Sequence, residues 1–168
     1  MGLACAVLAC PAPALGRHPE VLSEFGRAEA LGKTRYQVLA WPIFDAELWA
    51  AQDEFSWDRP FALSLTYQVS ASAEDLVSRS VRGVAKRARV DSKDRLASLL
   101  RSCFANVERN DRVTGVSFDR DKARFYLNGR QTCEIAWPGF RRAFFGIWLD
   151  ATGRDRAQSA RLVGAKRD

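Results

Sequence analysis

The sequence predicts an α+β fold in which an antiparallel β-sheet is covered by helices on one side. Large apolar residues occupy every second position of residues 61–69, which is typical of a β-strand with one buried face. Asn128-Gly129 separates two further strand-like segments and supplies the positive φ angles of a type I′ hairpin turn. After Pro138-Gly139, apolar residues recur on one side of a predicted amphipathic helix: Phe140, Ala143, Phe144, Ile147 and Trp148.

Two more strands are predicted before residue 61. Residues 34–40 alternate loosely between apolar and polar side chains, and residues 43–50 resume the pattern. Pro42 lies between them and has no N–H to donate, which indicates a bulge, a sheet edge or a turn at this point. A polar loop, residues 51–60, then leads into the strand that begins at Phe61.

The middle of the chain predicts two helices followed by a strand meander. Ser72 is placed as the N-cap of a helix that extends to about Arg89. Asp91 or Ser92 caps a second helix that extends to about Asn106. The remaining predicted elements are strands at residues 113–118, 123–127 and 132–136 and helices at residues 140–149 and near 156–163.

The N-terminal residues differ in composition from the rest of the chain. Residues 1–14 contain no charged side chain, and Ala12-Pro13-Ala14 has small residues at the spacing that a signal peptidase requires. We therefore predict an export signal, which places the protein in the periplasm or outside the cell. A lipoprotein signal ending before Cys10 and a disordered cytosolic tail are the alternatives.

The length of 168 residues suits one domain with a sizeable core. Beyond the predicted signal at residues 1–14, we expect a linker at residues 15–31, the domain at residues 32–164 and a basic tail at residues 165–168. The sequence contains no apolar run of about 18 residues, so no transmembrane helix is predicted.

Removal of the signal would leave two cysteines, Cys103 and Cys133. An oxidising compartment permits a disulfide between them, which requires their Cα atoms to lie within about 7 Å of each other. The alternative is a pair of buried thiols that pack as small apolar groups. Because His18 is the single histidine and no cysteines are closely paired, no metal site is predicted.

The chain is basic, with 26 Lys+Arg against 20 Asp+Glu. A nucleic-acid-binding protein concentrates such charge on one surface, whereas here it is scattered, so we predict no nucleic-acid partner. The densest basic run lies at residues 79–89 and repeats at helical spacing. This pattern indicates a solvated helix face, with contact to an anionic membrane surface or another polyanion as the alternative.

The order of these elements, together with two segments, resembles the bacterial chalcone-isomerase-like proteins. The segments are residues 43–50 (IFDAELWA) and residues 142–149 (RAFFGIWL), and the resemblance covers about residues 30–164. It implies an open-faced β-sandwich, in which a curved antiparallel sheet is backed by helices and a ligand cleft lies between sheet and helices. No cofactor is predicted. Members of this branch commonly carry export signals, in agreement with the prediction for residues 1–14.

The same resemblance argues against chalcone isomerase activity. Plant chalcone isomerases, which cyclise a chalcone to a flavanone, hold the substrate with an arginine, a threonine and a tyrosine. Arg35 matches the arginine, but the threonine position falls on Phe44 and the tyrosine position falls near Glu74. Because a phenylalanine cannot hydrogen-bond near the reacting ketone, we predict that this chain is not a true chalcone isomerase.

Non-catalytic members of the superfamily bind fatty acids, which implies an apolar cleft with an arginine for the carboxylate. On this basis Arg35 is the predicted anchor and Tyr67 its hydroxyl partner, while the cleft would be lined by Trp41, Phe44 and Trp49. The plainer interpretation is a solvated arginine on the surface and aromatic side chains that belong to the core.

Three functions follow as hypotheses. The first is binding of a small apolar carboxylate or phenolic ligand without catalysis. The second is an isomerase, an intramolecular lyase on an unknown substrate, acting through Arg35 and Tyr67. The third is a structural or partner-binding protein of the cell envelope. An arginine buried in an empty apolar cavity would favour the first two functions, and a filled core would favour the third. A second ionisable group with a strongly shifted pKa beside Arg35 would favour the isomerase.

Overall fold

The computed structural model describes residues 18–150, 152 and 155–164. Within these residues the strands form a six-stranded antiparallel sheet whose strand order follows the chain. The predicted signal, residues 1–14, and the basic tail, residues 165–168, lie outside the described residues. The strands are β1 (Glu29–Val38), β2 (Trp41–Ala50), β3 (Phe61–Tyr67), β4 (Arg112–Ser117), β5 (Lys122–Leu127) and β6 (Arg130–Ala136).

Two tight hairpins connect the outer strand pairs. Asn128 and Gly129 have φ angles of 51° and 84° between β5 and β6, as the sequence predicts for a type I′ turn. Leu39 and Ala40 have φ angles of 50° and 70° between β1 and β2, although neither residue type favours the left-handed region. Pro42 lies beside a shift in the β1–β2 register, which confirms the irregularity expected there.

Both predicted N-caps in the middle of the chain are present. Ser72 Oγ accepts a hydrogen bond from the backbone N–H of Asp75 at 3.1 Å, and Ser92 Oγ accepts one from Arg95 at 3.2 Å. The two helices that they begin end about one turn earlier than predicted. The helices are α1 (Pro19–Phe25), α2 (Ala73–Ala85), α3 (Lys93–Arg101), α4 (Gly146–Leu149), which follows a π-helical turn at Arg141–Phe145, and α5 (Arg156–Leu162).

The main core lies on one side of the sheet, which we call the helix face because α2, α3, α4 and α5 pack there. Aromatic rings in edge-to-face and stacked contacts fill its centre, with centroid separations such as 5.2 Å for Phe61 and Phe145 and 4.9 Å for Phe140 and Phe144. The buried phenylalanines of this core are Phe61, Phe125, Phe140, Phe144 and Phe145.

The opposite side of the sheet, the outer face, is covered in part by α1. Residues 15–31 were expected to be a linker, but their described part contains α1 and the first residues of β1. A second apolar cluster lies between α1 and the sheet and consists of Val21, Ala28, Trp49, Ala62, Val116 and Tyr126. Burial of this small cluster explains why a helix of seven residues, too short to be stable alone, forms here.

Charged side chains fasten α1 to the outer face. Glu20 is fully buried and accepts hydrogen bonds from Arg112 Nε at 2.9 Å and from the Thr114 hydroxyl at 2.7 Å. One turn later, Glu24 accepts hydrogen bonds from Arg124 Nη1 at 3.0 Å. These contacts join α1 to β4 and β5, about 90 to 100 residues away along the chain.

Cys103 and Cys133 form a disulfide, with their Cα atoms 5.0 Å apart. The bond joins the turn after α3 to the edge strand β6 and therefore ties the helix layer to the sheet. Of the two alternatives that the sequence left open, the structure shows the covalent one. None of the helices in the described part of the chain has both the length and the apolar character needed to cross a lipid bilayer.

Candidate functional site

Arg35 lies on the outer face, whereas the predicted cleft would lie on the helix face. Its side chain is 54% exposed and makes two hydrogen bonds to the carboxylate of Asp45, at 2.6 and 2.9 Å. These hydrogen bonds hold the pKa of Asp45 below its ordinary value. Because an internal carboxylate already occupies the planar guanidinium in a bidentate pair, Arg35 has little capacity to hold a second one.

Phe44 and Tyr67 do come together on the helix face, as neighbours across β2 and β3. Their ring centroids are 5.8 Å apart, and Tyr36 stacks on the other side of Phe44 at 4.9 Å. Burial raises the pKa of Tyr67 to about 12, and it raises the pKa of Tyr36 further. Both hydroxyls therefore stay protonated at neutral pH, and that of Tyr36 donates to the Trp148 carbonyl oxygen at 3.4 Å.

The remaining residues chosen from the sequence lie elsewhere. Trp41 is 75% exposed at the tip of the β1–β2 hairpin. Trp49 is buried on the outer face, where its ring meets that of His18 at 5.2 Å. Glu74, at the position expected for the tyrosine, is an exposed residue of α2 that forms an ion pair with Arg101 at 2.9 Å. The structure thus distributes the predicted set over both faces and one tip of the sheet.

The predicted cleft between sheet and helices is occupied in the described part of the chain. Phe125 meets Phe144 at 5.3 Å and Phe104 at 5.2 Å, and these rings continue the aromatic contacts of the core. Each is an ordinary van der Waals approach that leaves no ligand-sized space between the rings. These contacts favour a small-ligand site at the margin of this layer over one between these rings.

Arg141 is a buried cation at the margin of this aromatic layer. Arg141, in the π-helical turn, is 5% exposed, and its Nε donates to Ser117 Oγ at 2.7 Å. Its Nη1 donates to the Trp57 carbonyl oxygen at 2.8 Å, and a longer contact of 3.5 Å joins Nη2 to the Ser117 carbonyl oxygen. A guanidinium carries five N–H donors, so two of them have no protein acceptor among the described residues.

The charge of Arg141 is also without an ion-pair partner in the described residues, since no carboxylate oxygen there lies within 4.0 Å of its nitrogens. Burial lowers the pKa of Arg141, and the more distant charges of Asp119 and Asp58 act in the opposite direction. Burying a cation without a paired anion costs free energy, which makes this position a candidate binding site for an anion.

Arg141 contributes to the wall of a pocket of about 370 Å³ at one end of the sheet. The pocket lies where the loop before β3 meets the turn after β4. Its apolar walls are the side chains of Trp57, Pro60 and Phe118, and Arg142 places its guanidinium 5.0 Å from the Trp57 ring. The charged residues that line the pocket besides Arg141 are Asp58, Asp119, Arg120 and Arg142.

Arg141 was not among the site residues predicted from the sequence. A signal was present, because Arg141 precedes Phe145 by four residues and so lies on the same side of a helix. The buried side predicted for this helix comprised Phe140, Ala143, Phe144, Ile147 and Trp148. The π-helical turn widens that side, so that Phe145 and Arg141 are buried as well.

The sequence matches no protein-family model, and no curated protein matches it. Among solved structures, the chain is similar to the fatty-acid binding protein AtFAP1 of Arabidopsis thaliana, with a TM-score of 0.64 and 11% sequence identity. The match covers 82% of this chain and 87% of that chain. Together with the six-stranded antiparallel sheet and its helix layer, it shows that this chain has the α+β, chalcone-isomerase-like fold.

Proposed function

We propose that this chain is a non-catalytic binding protein for a small carboxylate with an apolar body, such as a fatty acid, and that the Arg141 pocket holds the carboxylate. The observation that carries the proposal is the buried guanidinium of Arg141, which has unused donors and no paired carboxylate in the described residues. Arg35, the anchor expected from the sequence, is neutralised by Asp45, so we assign the anchoring role to Arg141.

The chemistry of the pocket fits this ligand class. A carboxylate could accept hydrogen bonds from the two remaining N–H groups of Arg141 and pair directly with its guanidinium, which Asp58 and Asp119 influence only at longer range. The Trp57, Pro60 and Phe118 side chains would cover the first part of an alkyl chain.

The size of the pocket limits the ligand. A volume of about 370 Å³ lies at the low end of the range of about 300–1,000 Å³ for small-ligand sites. It favours a carboxylate with a short chain, or a longer chain that extends from the pocket opening. The described function of AtFAP1 as a fatty-acid binding protein supports the same ligand class, although the likeness itself concerns the fold.

Isothermal titration calorimetry with decanoate tests this proposal, and decan-1-ol serves as a probe of equal length without charge. We expect Arg141→Gln to weaken decanoate binding by more than tenfold, or about 1.4 kcal/mol, and to leave decanol binding unchanged. Arg141→Lys keeps the charge but places its three N–H donors on one nitrogen, so it loses the planar fork that can bind a carboxylate bidentately. It should fold and still bind decanoate weakly.

Arg35→Gln is the matched control, because it removes an arginine from the outer face. Its affinity for decanoate should equal that of the unmodified chain. If Arg35→Gln weakened decanoate binding while folded Arg141→Lys and Arg141→Gln did not, the anchor would be Arg35 and the proposed site would be wrong. Unchanged affinity for decanoate in all three variants would mean that neither arginine binds the carboxylate.

We also propose that the protein is exported and acts in the periplasm or outside the cell, with residues 1–14 as its signal. The uncharged N-terminal sequence supports this location, and a disulfide between Cys103 and Cys133 fits an oxidising compartment. Intact-mass measurement of the protein from fractionated cells provides the test. A mature chain that begins at Leu15 in the exported fraction is expected, and an intact N-terminus in the cytosolic fraction would contradict the proposal.

A further inference from the structure

Three of the four large apolar side chains that are exposed in the described part of the chain lie at the tip of the β1–β2 hairpin. Leu39 is 90% exposed, Trp41 is 75% exposed and Val38 is 58% exposed. Val69, after β3, is 38% exposed at the same end of the sheet. Single exposed apolar residues are common, but a protruding group of three at one turn indicates an interaction site.

The turn residues themselves are not explained by folding. Leu39 and Ala40 both have positive φ angles, which cost free energy for residues with a Cβ atom. The β5–β6 hairpin of the same chain uses Asn128-Gly129 at the equivalent positions, the pair that this turn type favours. The first hairpin therefore keeps apolar side chains where a polar pair would form the turn more easily and would be better solvated.

The charge distribution around the tip is also specific. The nine residues from Tyr36 to Phe44 include no charged side chain, and the ion pair of Arg35 with Asp45 closes the base of this uncharged segment. Behind it, the positive charge of Arg79 acts on Tyr67, and that of Arg87 acts on Tyr36 against the larger effect of Asp155, while Arg82 and Lys86 are exposed on the same helix and its C-cap. An apolar tip with positive charge behind it matches the profile of a bilayer, in which apolar chains lie beneath anionic headgroups.

We propose that the β1–β2 hairpin tip inserts into the interfacial region of an anionic lipid bilayer. Leu39 and Val38 enter the acyl boundary, and Trp41 lies at headgroup depth, where tryptophan side chains concentrate. The exposed basic residues of α2 and of the turn that follows it then face the lipid phosphates; these are Arg79, Arg82, Lys86 and Arg87. A narrow two-residue turn enters a bilayer readily but offers little of the area that a stable protein interface buries.

The orientation that follows is defined by strand register. The tip lies at the end of the sheet where Phe44 pairs with Tyr67, the last residue of β3. The Arg141 pocket lies at the other end of β3, where Phe61 pairs with Ser117. The two features are separated by roughly 20 Å of strand, so the docked protein would hold its pocket opening away from the bilayer. The membrane proposal does not depend on what the pocket binds.

Sedimentation with sucrose-loaded vesicles tests the proposal, using the full chain and vesicles of phosphatidylcholine alone or with phosphatidylglycerol at about a third of the lipid. The informative variant is Leu39→Asn with Ala40→Gly, which removes the apolar tip and installs the turn sequence that the β5–β6 hairpin already uses. Because this change improves the turn chemistry, the variant should fold. Ala136→Asn, an exposed change at the opposite end of the sheet, is the control.

We expect binding to the anionic vesicles that exceeds binding to phosphatidylcholine and that falls more than tenfold in the double variant but not in Ala136→Asn. Brominated acyl chains should quench tryptophan fluorescence in the unmodified chain, and Trp41→Phe should remove that quenching. Equal vesicle binding by the unmodified chain and the double variant would overturn the proposal. If the unmodified chain does not bind vesicles but forms a dimer by light scattering, and the double variant is monomeric, the membrane proposal is overturned in favour of self-association through the tip.

Discussion

The ion pair that holds α1 against the outer face gives the most quantitative prediction. Glu20 has a side chain with 0% exposure, and its partner Arg112 is 22% exposed. The carboxylate accepts two hydrogen bonds from Arg112, at 2.9 and 3.1 Å, and one from Thr114 at 2.7 Å. The change Glu20→Gln conserves the volume of the side chain, removes its charge and turns an amide N–H₂ towards the guanidinium.

The expected loss is large because Arg112 would keep its charge with 22% of its side chain exposed to water and without its carboxylate partner. Hydrogen bonds to charged groups contribute about 1.5–3 kcal/mol each, and breaking a buried pair costs about 3–5 kcal/mol. Glu20→Gln should therefore lower the free energy of unfolding by about 3 kcal/mol. For a chain of this size, that corresponds to a fall of about 6–12 °C in melting temperature.

Urea denaturation followed by far-UV circular dichroism measures this loss. Arg35→Gln is the matched control, since it also removes one partner of a bidentate arginine–carboxylate pair, but on the exposed surface. It should cost much less than Glu20→Gln. A loss below about 1 kcal/mol for Glu20→Gln, or equal losses for the two variants, would refute the conclusion that the buried pair secures α1.

The same pair predicts the direction of the acid response. Burial by itself would raise the pKa of Glu20, but hydrogen bonds from Arg112 and Thr114 outweigh it, and the pKa falls below the ordinary value of 4.5. A carboxyl group with a lowered folded-state pKa stabilises the fold above its unfolded pKa and loses that contribution as the pH falls through the folded value. Stability should thus decrease below about pH 4.5, and less steeply in Glu20→Gln.

Two further predictions concern packing and the disulfide. Gly32→Ala would place a Cβ atom 2.1 Å from the carbonyl oxygen of Arg161, where α5 crosses β1. It should lower the free energy of unfolding, measured by urea denaturation, by about 1–3 kcal/mol or more. An unchanged urea midpoint would show that α5 can move away freely. Replacing Cys103 and Cys133 by serine opens a loop with a sequence separation of 30 residues. It should lower the free energy of unfolding, measured by calorimetry, by about 3–4 kcal/mol. A loss below about 1 kcal/mol would mean that the disulfide adds little constraint to the unfolded chain.

Most of the secondary structure could be predicted because its causes are local. The Asn128-Gly129 turn, the Ser72 and Ser92 caps and the alternation in β3 each depend on residues a few positions apart. The resemblance added the order of strands and the helix layer, and the structural comparison bears out that fold. Helix α1 escaped prediction because its stability comes from contacts with β4 and β5, which periodicity along seven residues cannot reveal.

The candidate site, like the fold, could be predicted from the sequence only in part. The family resemblance pointed to Arg35 as the anchor for a carboxylate. The sequence by itself predicted, from its period-two alternation, that Phe44 and Tyr67 lie on apolar strand faces. It could not establish which arginine lacks a partner. Arg35 meets Asp45 only because β1 and β2 pair in one register, and Arg141 is buried only because a π-helical turn rotates it beneath the loop at Trp57. Burial and ion pairing are properties of distant segments brought together, so only the tertiary structure decided them.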